Sequence, residues 1–182
     1  MQFMADAALG CPQIPDSLAG DWRSNLTEWT KGVSASFRRH PWISEIPTSR
    51  LPAMPRNVAW MDYALRILAD TPLSYPERLS VIVLLTGHAR NEATTSTQLA
   101  RGQADAGHTR EGADDVYAKT MNAVVDPERF PALRAVVDDY MLAPAAGTDP
   151  PAEDAIFLFA LDRILDGIET LIERRHRKSQ PR

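Results

Sequence analysis

A chain of 182 residues can enclose one sizeable core, and 44% hydrophobic with 24% charged residues excludes the disordered class. Twenty-four acidic against 20 basic residues leave a formal charge of −4, which denies this chain the positive field that a phosphate-binding surface needs. A single cysteine, Cys11, excludes an internal disulfide and a cysteine-built zinc site.

Frequent helix punctuation and the near absence of alternating apolar and polar residues predict an all-α fold. Met1–Leu9 reads as a short helical stump ending at Gly10, and Cys11–Ala19 as a proline-containing connector. Asp21 is placed to cap a helix in which Trp22, Leu26, Trp29, Val33 and Phe37 recur at three- and four-residue spacing. Pro41 should end it at Arg39 or His40, and the prolines at 41, 47, 52 and 55 leave room between them for only a short helix or turns. Pro55 suits the first turn of the next helix, which carries Val58, Met61, Leu65 and Leu68 on one side and Trp60, Tyr63 and Ile67 on another. Ser74 and Glu77 form a predicted capping box, each side chain meeting the other's backbone N–H, at the head of a helix from Tyr75 to about Gly102. Three glycines in 102–112 mark a loop before a helix from about Asp114 to Val125. Asp126 and Pro127 then start a helix to about Leu142. The last helix is expected to begin at Asp149–Pro151 and run to about Lys178, its closing cations matching the negative end of the helix dipole.

Two of these helices carry more apolar surface than one face needs. Residues 79–85 are apolar on almost every side, and all seven residues of 155–161 are apolar, followed by Ile164, Leu165, Ile168, Leu171 and Ile172. Burial within one subunit would satisfy this pattern. So would a second copy of the chain, two helices from each making a four-helix bundle about a twofold axis, with Phe157, Leu161, Ile164, Leu165, Ile168 and Ile172 at the interface.

The run Ala155-Ile-Phe-Leu-Phe-Ala-Leu-Asp-Arg-Ile-Leu-Asp-Gly-Ile-Glu-Thr-Leu-Ile172 resembles the closing segment of tetracycline-repressor (TetR) C-terminal domains. Gly20-Asp-Trp-Arg23, Arg39-His-Pro-Trp42 and Pro55-Arg-Asn57 are similar to that family in order and spacing. The resemblance implies a TetR-like, all-α C-terminal domain that senses a small, largely apolar effector and forms a homodimer. The full regulator would be a repressor that reads DNA through an N-terminal helix-turn-helix. On this reading residues 1–10 are the end of the helix linking to that DNA-binding domain, which the chain lacks. Residues 11–178 are the ligand-binding and dimerisation domain, and 179–182 a tail. The implied effector site draws on Trp29, Val33, Phe37, Trp60, Tyr63, Ala64 and Leu84, each of which would serve equally as plain core, and on Gly87 with the polar candidates Arg50, His88 and Asn91. Effector would act by favouring one arrangement of the linking helix. The family's metal-tetracycline chemistry uses a histidine in that helix, and Met1–Leu9 has none.

No cofactor and no catalysis are expected. The histidines at 40, 88, 108 and 176 lack H-E-x-x-H spacing, no G-x-S-x-G, P-loop or dinucleotide fingerprint occurs, and the adjacent pairs Asp114-Asp115 and Asp138-Asp139 point in different directions on a helix. Apolar runs well short of ~20 residues predict no membrane span, and without a secretory signal the cytoplasm is the expected location. A stand-alone effector-binding dimer, acting as a dominant-negative partner or a scavenger, is the rival with the same fold and pocket.

Overall fold

The computed structural model describes residues 2–15, 18, 20–46, 54–105, 107, 109–142 and 154–179. Seven α-helices and no strand occur among them, and their residues group into two compact units, Met1–Thr97 with Ile156–Arg182 and Gln98–Ala155, where the sequence reads as one continuous domain.

In the first unit α1 spans Gln2–Leu9, and Gly10 follows it at φ +72°, the left-handed value a helix-ending glycine supplies. Helix α2 runs Trp22–Arg39 behind Asp21, whose carboxylate accepts from the Ser24 N–H at 2.7 Å, and Pro41 closes it into a 3₁₀ turn over Pro41–Glu45. Pro55 opens α3, Pro55–Ile67. Helix α4 runs Tyr75–Asp105, its residues from Gln98 onward belonging to the second unit, and passes Gly102 by three residues because one interior glycine costs a helix only about 1 kcal/mol and does not by itself stop it. At its start Glu77 accepts from the Ser74 N–H at 2.8 Å, but the Ser74 hydroxyl donates to the same carboxylate instead of capping the Glu77 N–H, so half of the expected box is made.

Helix α7, Ala155–Ser179, completes this unit; the helix start expected at Asp149–Pro151 lies outside the described residues. Its buried stripe is Phe157, Leu161, Leu165, Ile168 and Ile172, which packs with Leu26, Trp29, Val33 and Phe37 of α2, Tyr63, Ala64 and Ile67 of α3, and Val81, Ile82, Leu85, Ala89 and Ala93 of α4 in one core. Ile164 is partly buried against it. The residues the sequence offered to a partner subunit are therefore the ones that close this chain's own core, because they recur at the spacing that faces α2 and α4. Among the apolar residues left outside are Ile156, Leu158 and Phe159 on α7 and Leu79, Val83 and Leu84 on α4, with Phe159 68% and Val83 64% exposed.

In the second unit α5 spans Arg110–Val124, four residues earlier than expected, because the Thr109 hydroxyl accepts from the Gly112 N–H at 3.2 Å and caps it there. Asp126 and Pro127 make only a turn. Phe130 precedes Pro131 and is held out of the helical region, at φ −130° and ψ 57°, so α6 starts at Pro131 and runs to Val136 before a π-helical turn over Val137–Met141.

Candidate functional site

Two of the helices in the first unit, α2 and α3, bring six of the predicted effector residues together. Trp29, Val33 and Phe37 lie one turn apart on α2 and face Tyr63 and Ala64 of α3, all five buried. Trp60, half-buried, meets Trp29 edge to face, with ring centroids 6.1 Å apart and planes at 75°, a favoured aromatic geometry. The Trp29 indole N–H donates to the Trp60 carbonyl at 2.9 Å, and the Trp60 indole N–H donates to the Gly10 carbonyl at 3.0 Å. Gly32 makes room for the Trp60 ring: a Cβ there would lie 2.9 Å from Trp60 Cη2.

The other predicted residues lie elsewhere. Leu84, Gly87 and Asn91 are on the exposed side of α4, the turn of a helix away from Leu85 and Ala89, which face the core. His88 stacks on Phe157, planes 4° apart and centroids 4.9 Å apart, and its Nε2 lies 3.1 Å from the Phe157 carbonyl. That contact satisfies the histidine inside the fold. Arg50 lies outside the described residues.

The polar groups beside the aromatic cluster are ones that spacing alone did not single out. Glu92 of α4 accepts from the Ser34 hydroxyl at 2.8 Å and from both arms of Arg38, Nε at 3.1 Å and a terminal nitrogen at 2.6 Å. Ser34 and Arg38 follow Val33 and Phe37 by one position, so the i, i+4 pair was the available signal. Arg90 donates to the Ser44 and Ile46 carbonyls, tying α4 to the 3₁₀ turn. A two-point carboxylate–guanidinium pair at the rim of an apolar cluster can orient a polar end of a molecule whose body is hydrophobic. A separate open cavity of about 370 Å³ lies between α2 and α7, lined by Thr27, Leu158, Phe159, Leu161, Asp162 and Leu165, and shares none of the predicted effector residues.

Helix α1 and the Gly10 that ends it are fastened to α3 at three points. Asp6, 7% exposed, accepts from the Arg56 N–H at 3.1 Å, the Asn57 N–H at 3.0 Å and the Asn57 side-chain amide at 2.9 Å, and so supplies from α1 the cap that Met54 cannot give α3. Burial works against its charge, but the backbone and side chain of Asn57 and the backbone of Arg56 outweigh it and hold the carboxyl below its usual range. The Arg56 guanidinium also donates to the Ala7 carbonyl, and Trp60 holds Gly10.

A family model described as tetracyclin repressor-like, C-terminal domain, matches residues 14–172. The chain is 27% identical over its 182 residues to the HTH-type transcriptional repressor DrrR1 of Streptomyces coeruleorubidus, and spans 64% of that relative's length. Among solved structures it is similar to the TetR-family protein ActR of Streptomyces coelicolor. The apo form matches at TM-score 0.64 and 19% identity, covering 91% of this chain and 72% of that one. The complex with actinorhodin matches at TM-score 0.65 and 19% identity, covering 93% and 74%.

Proposed function

The chain belongs to the tetracyclin repressor-like C-terminal domain family, and we propose on that footing that it is the effector-sensing and dimerisation part of a transcriptional repressor. The observation that carries this reading is the aromatic pair between α2 and α3, where Trp29 and Trp60 form part of an apolar core and are joined by hydrogen bonds to the end of α1. An effector with a flat apolar body would stack among these rings, its polar end met by Arg38 and Glu92. The complex of the structurally similar ActR with actinorhodin supports a small molecule as the ligand. The acidic balance of the chain supports leaving DNA to a helix-turn-helix outside this domain, and the function proposed is sensing in the cytoplasm, with no catalysis.

The dimer proposed here uses the outward faces of α4 and α7. Leu79, Val83 and Leu84 on one and Ile156 and Phe159 on the other present bulky apolar side chains to solvent, and exposed apolar surface on that scale marks an association site. Gly87 and Gly167, where an added Cβ would meet nothing within 4 Å among the described residues, permit a second helix to approach closely. Native mass spectrometry with tryptophan-fluorescence titration tests both parts. Two subunits per particle and saturable quenching by a member of a panel of flat aromatic compounds that includes actinorhodin are expected; a monomer that also leaves the tryptophan fluorescence unchanged across the panel would defeat the reading.

A further inference from the structure

We infer that Trp60 is the lever that couples the space between α2 and α3 to helix α1. Its side chain does two things at once. The six-membered ring fills the gap over Gly32, so a group entering between α2 and α3 at this level must displace it. The indole N–H holds the Gly10 carbonyl at 3.0 Å, so a displaced ring no longer reaches the end of α1. At the other two attachments Asp6 is buried and held by three N–H donors from Arg56 and Asn57, and the Ala7 carbonyl accepts from the Arg56 guanidinium, with none of these donors on the Trp60 side chain. Loss of the Trp60 contact therefore frees Gly10, which ends α1, while Asp6 and Ala7 within the turn before it stay held by Arg56 and Asn57, and the C-terminal end of the helix pivots about Asp6. The backbone carbonyl of Trp60, which accepts from Trp29, stays in α3 while the ring moves, so α2 and α3 remain joined during the swing.

The purpose of this lever rests on the sensor reading above, but its mechanics do not, and the test uses no effector. Gly32→Ala is a clean perturbation, because among the described residues the new Cβ would come within 4 Å of Trp60 alone, apart from its own helix and chain neighbours. Amide exchange by mass spectrometry on the full chain should show the peptide over residues 2–10 exchanging about 2- to 10-fold faster, the effect of losing one hydrogen bond, with peptides over residues 75–97 unchanged. Trp60→Phe, which keeps a ring but removes the N–H, should loosen the same peptide to a similar degree. In the Trp60→Phe background Gly32→Ala should add nothing, because a phenyl ring does not reach the position of Cη2. Additive effects of the two substitutions, no change at residues 2–10 in either single variant, or equal acceleration of residues 2–10 and 75–97 would each overturn the proposal. A chain that passes this test and binds no aromatic ligand would retain the lever and refute only the sensor reading.

Discussion

Replacing Asp6 by alanine removes the cap of a helix that lies fifty residues further along the chain, and the cost follows from the bonds lost. Three N–H donors, at 2.9 to 3.1 Å, converge on this one carboxylate. A lost N-cap costs about 0.5–2 kcal/mol and a hydrogen bond to a charged acceptor about 1.5–3 kcal/mol. These terms overlap, and Arg56 and Asn57 are half-buried, so water reaches part of what is left; the net expectation is about 2 kcal/mol. With an m-value of about 2 kcal/mol/M in urea, the unfolding midpoint should fall by about 1 M, and Tm by about 4–8 °C. Protein concentration must be held constant, since the stability of the dimer proposed above would depend on it. The exposed Asp62→Ala on α3 serves as control and should stay within about 0.5 kcal/mol. Because the folded-state pKa of Asp6 lies below the unfolded value of about 3.9, its charge contributes in full above that value. The contribution is lost as pH falls through the folded pKa, so the gap between wild type and variant should be constant near neutrality and narrow in acid. An Asp6→Ala midpoint equal to that of the control, or a gap that widens on acidification, would refute the account of Asp6 as the cap of α3.

Glu77 is held down to about 2 by the Ser74 hydroxyl first, then by Arg175 and the Ser74 N–H, so its contribution is complete above about 4.5 and is lost as pH falls toward 2. Urea midpoints of Glu77→Gln against wild type should therefore differ most above pH 4.5 and converge in stronger acid. Phe159→Glu and Val83→Glu place a charge on the outward faces of α7 and α4 and should give monomers in sedimentation velocity with an unchanged helical circular dichroism spectrum; dimers that persist would move the interface elsewhere. Leu161→Ala, at a fully buried position, should instead destabilise each protomer by about 2–5 kcal/mol in denaturant titration.

The helices were legible because their periodicity and punctuation are local. Asp21, Pro41 and Pro55 mark boundaries that depend on a few neighbouring residues, and the structure uses each of them. Asp126-Pro127 misled for a local reason too, since Pro131 four residues on holds Phe130 out of the helix and outweighs the cap signal. The apolar cluster was legible as residues but not as a site. Trp29, Val33, Phe37, Tyr63 and Ala64 come together because α2 and α3 present them to each other, a pairing that depends on α4 and α7 behind them. What a helix pattern cannot convey is which of two apolar faces meets its own chain. On α7 the face of Phe157 and Leu161 turned inward and that of Ile156 and Phe159 outward, and both read as equally hydrophobic in 155–161. The fastening of α1 was likewise hidden, because Asp6 and its donors lie fifty residues apart and a lone aspartate in a short helix carries no signal of its own.

Arg23, at the start of α2, donates to Asp162 and, at 2.6 and 3.1 Å, to Asp166 and Glu169 of α7, carboxylates spaced four and three residues apart along one side of that helix. Such a spacing lets a single guanidinium span two turns, and it also sets a tolerance. Inserting one residue ahead of Asp162 would rotate all three acids by about 100° and carry them about 1.5 Å along the axis, out of the fork's reach. Deleting one would turn them the opposite way. The length of α7 up to Asp162 is therefore metered by a side chain near the front of the molecule's sequence, and evolution can vary the composition of this contact far more freely than its count of residues.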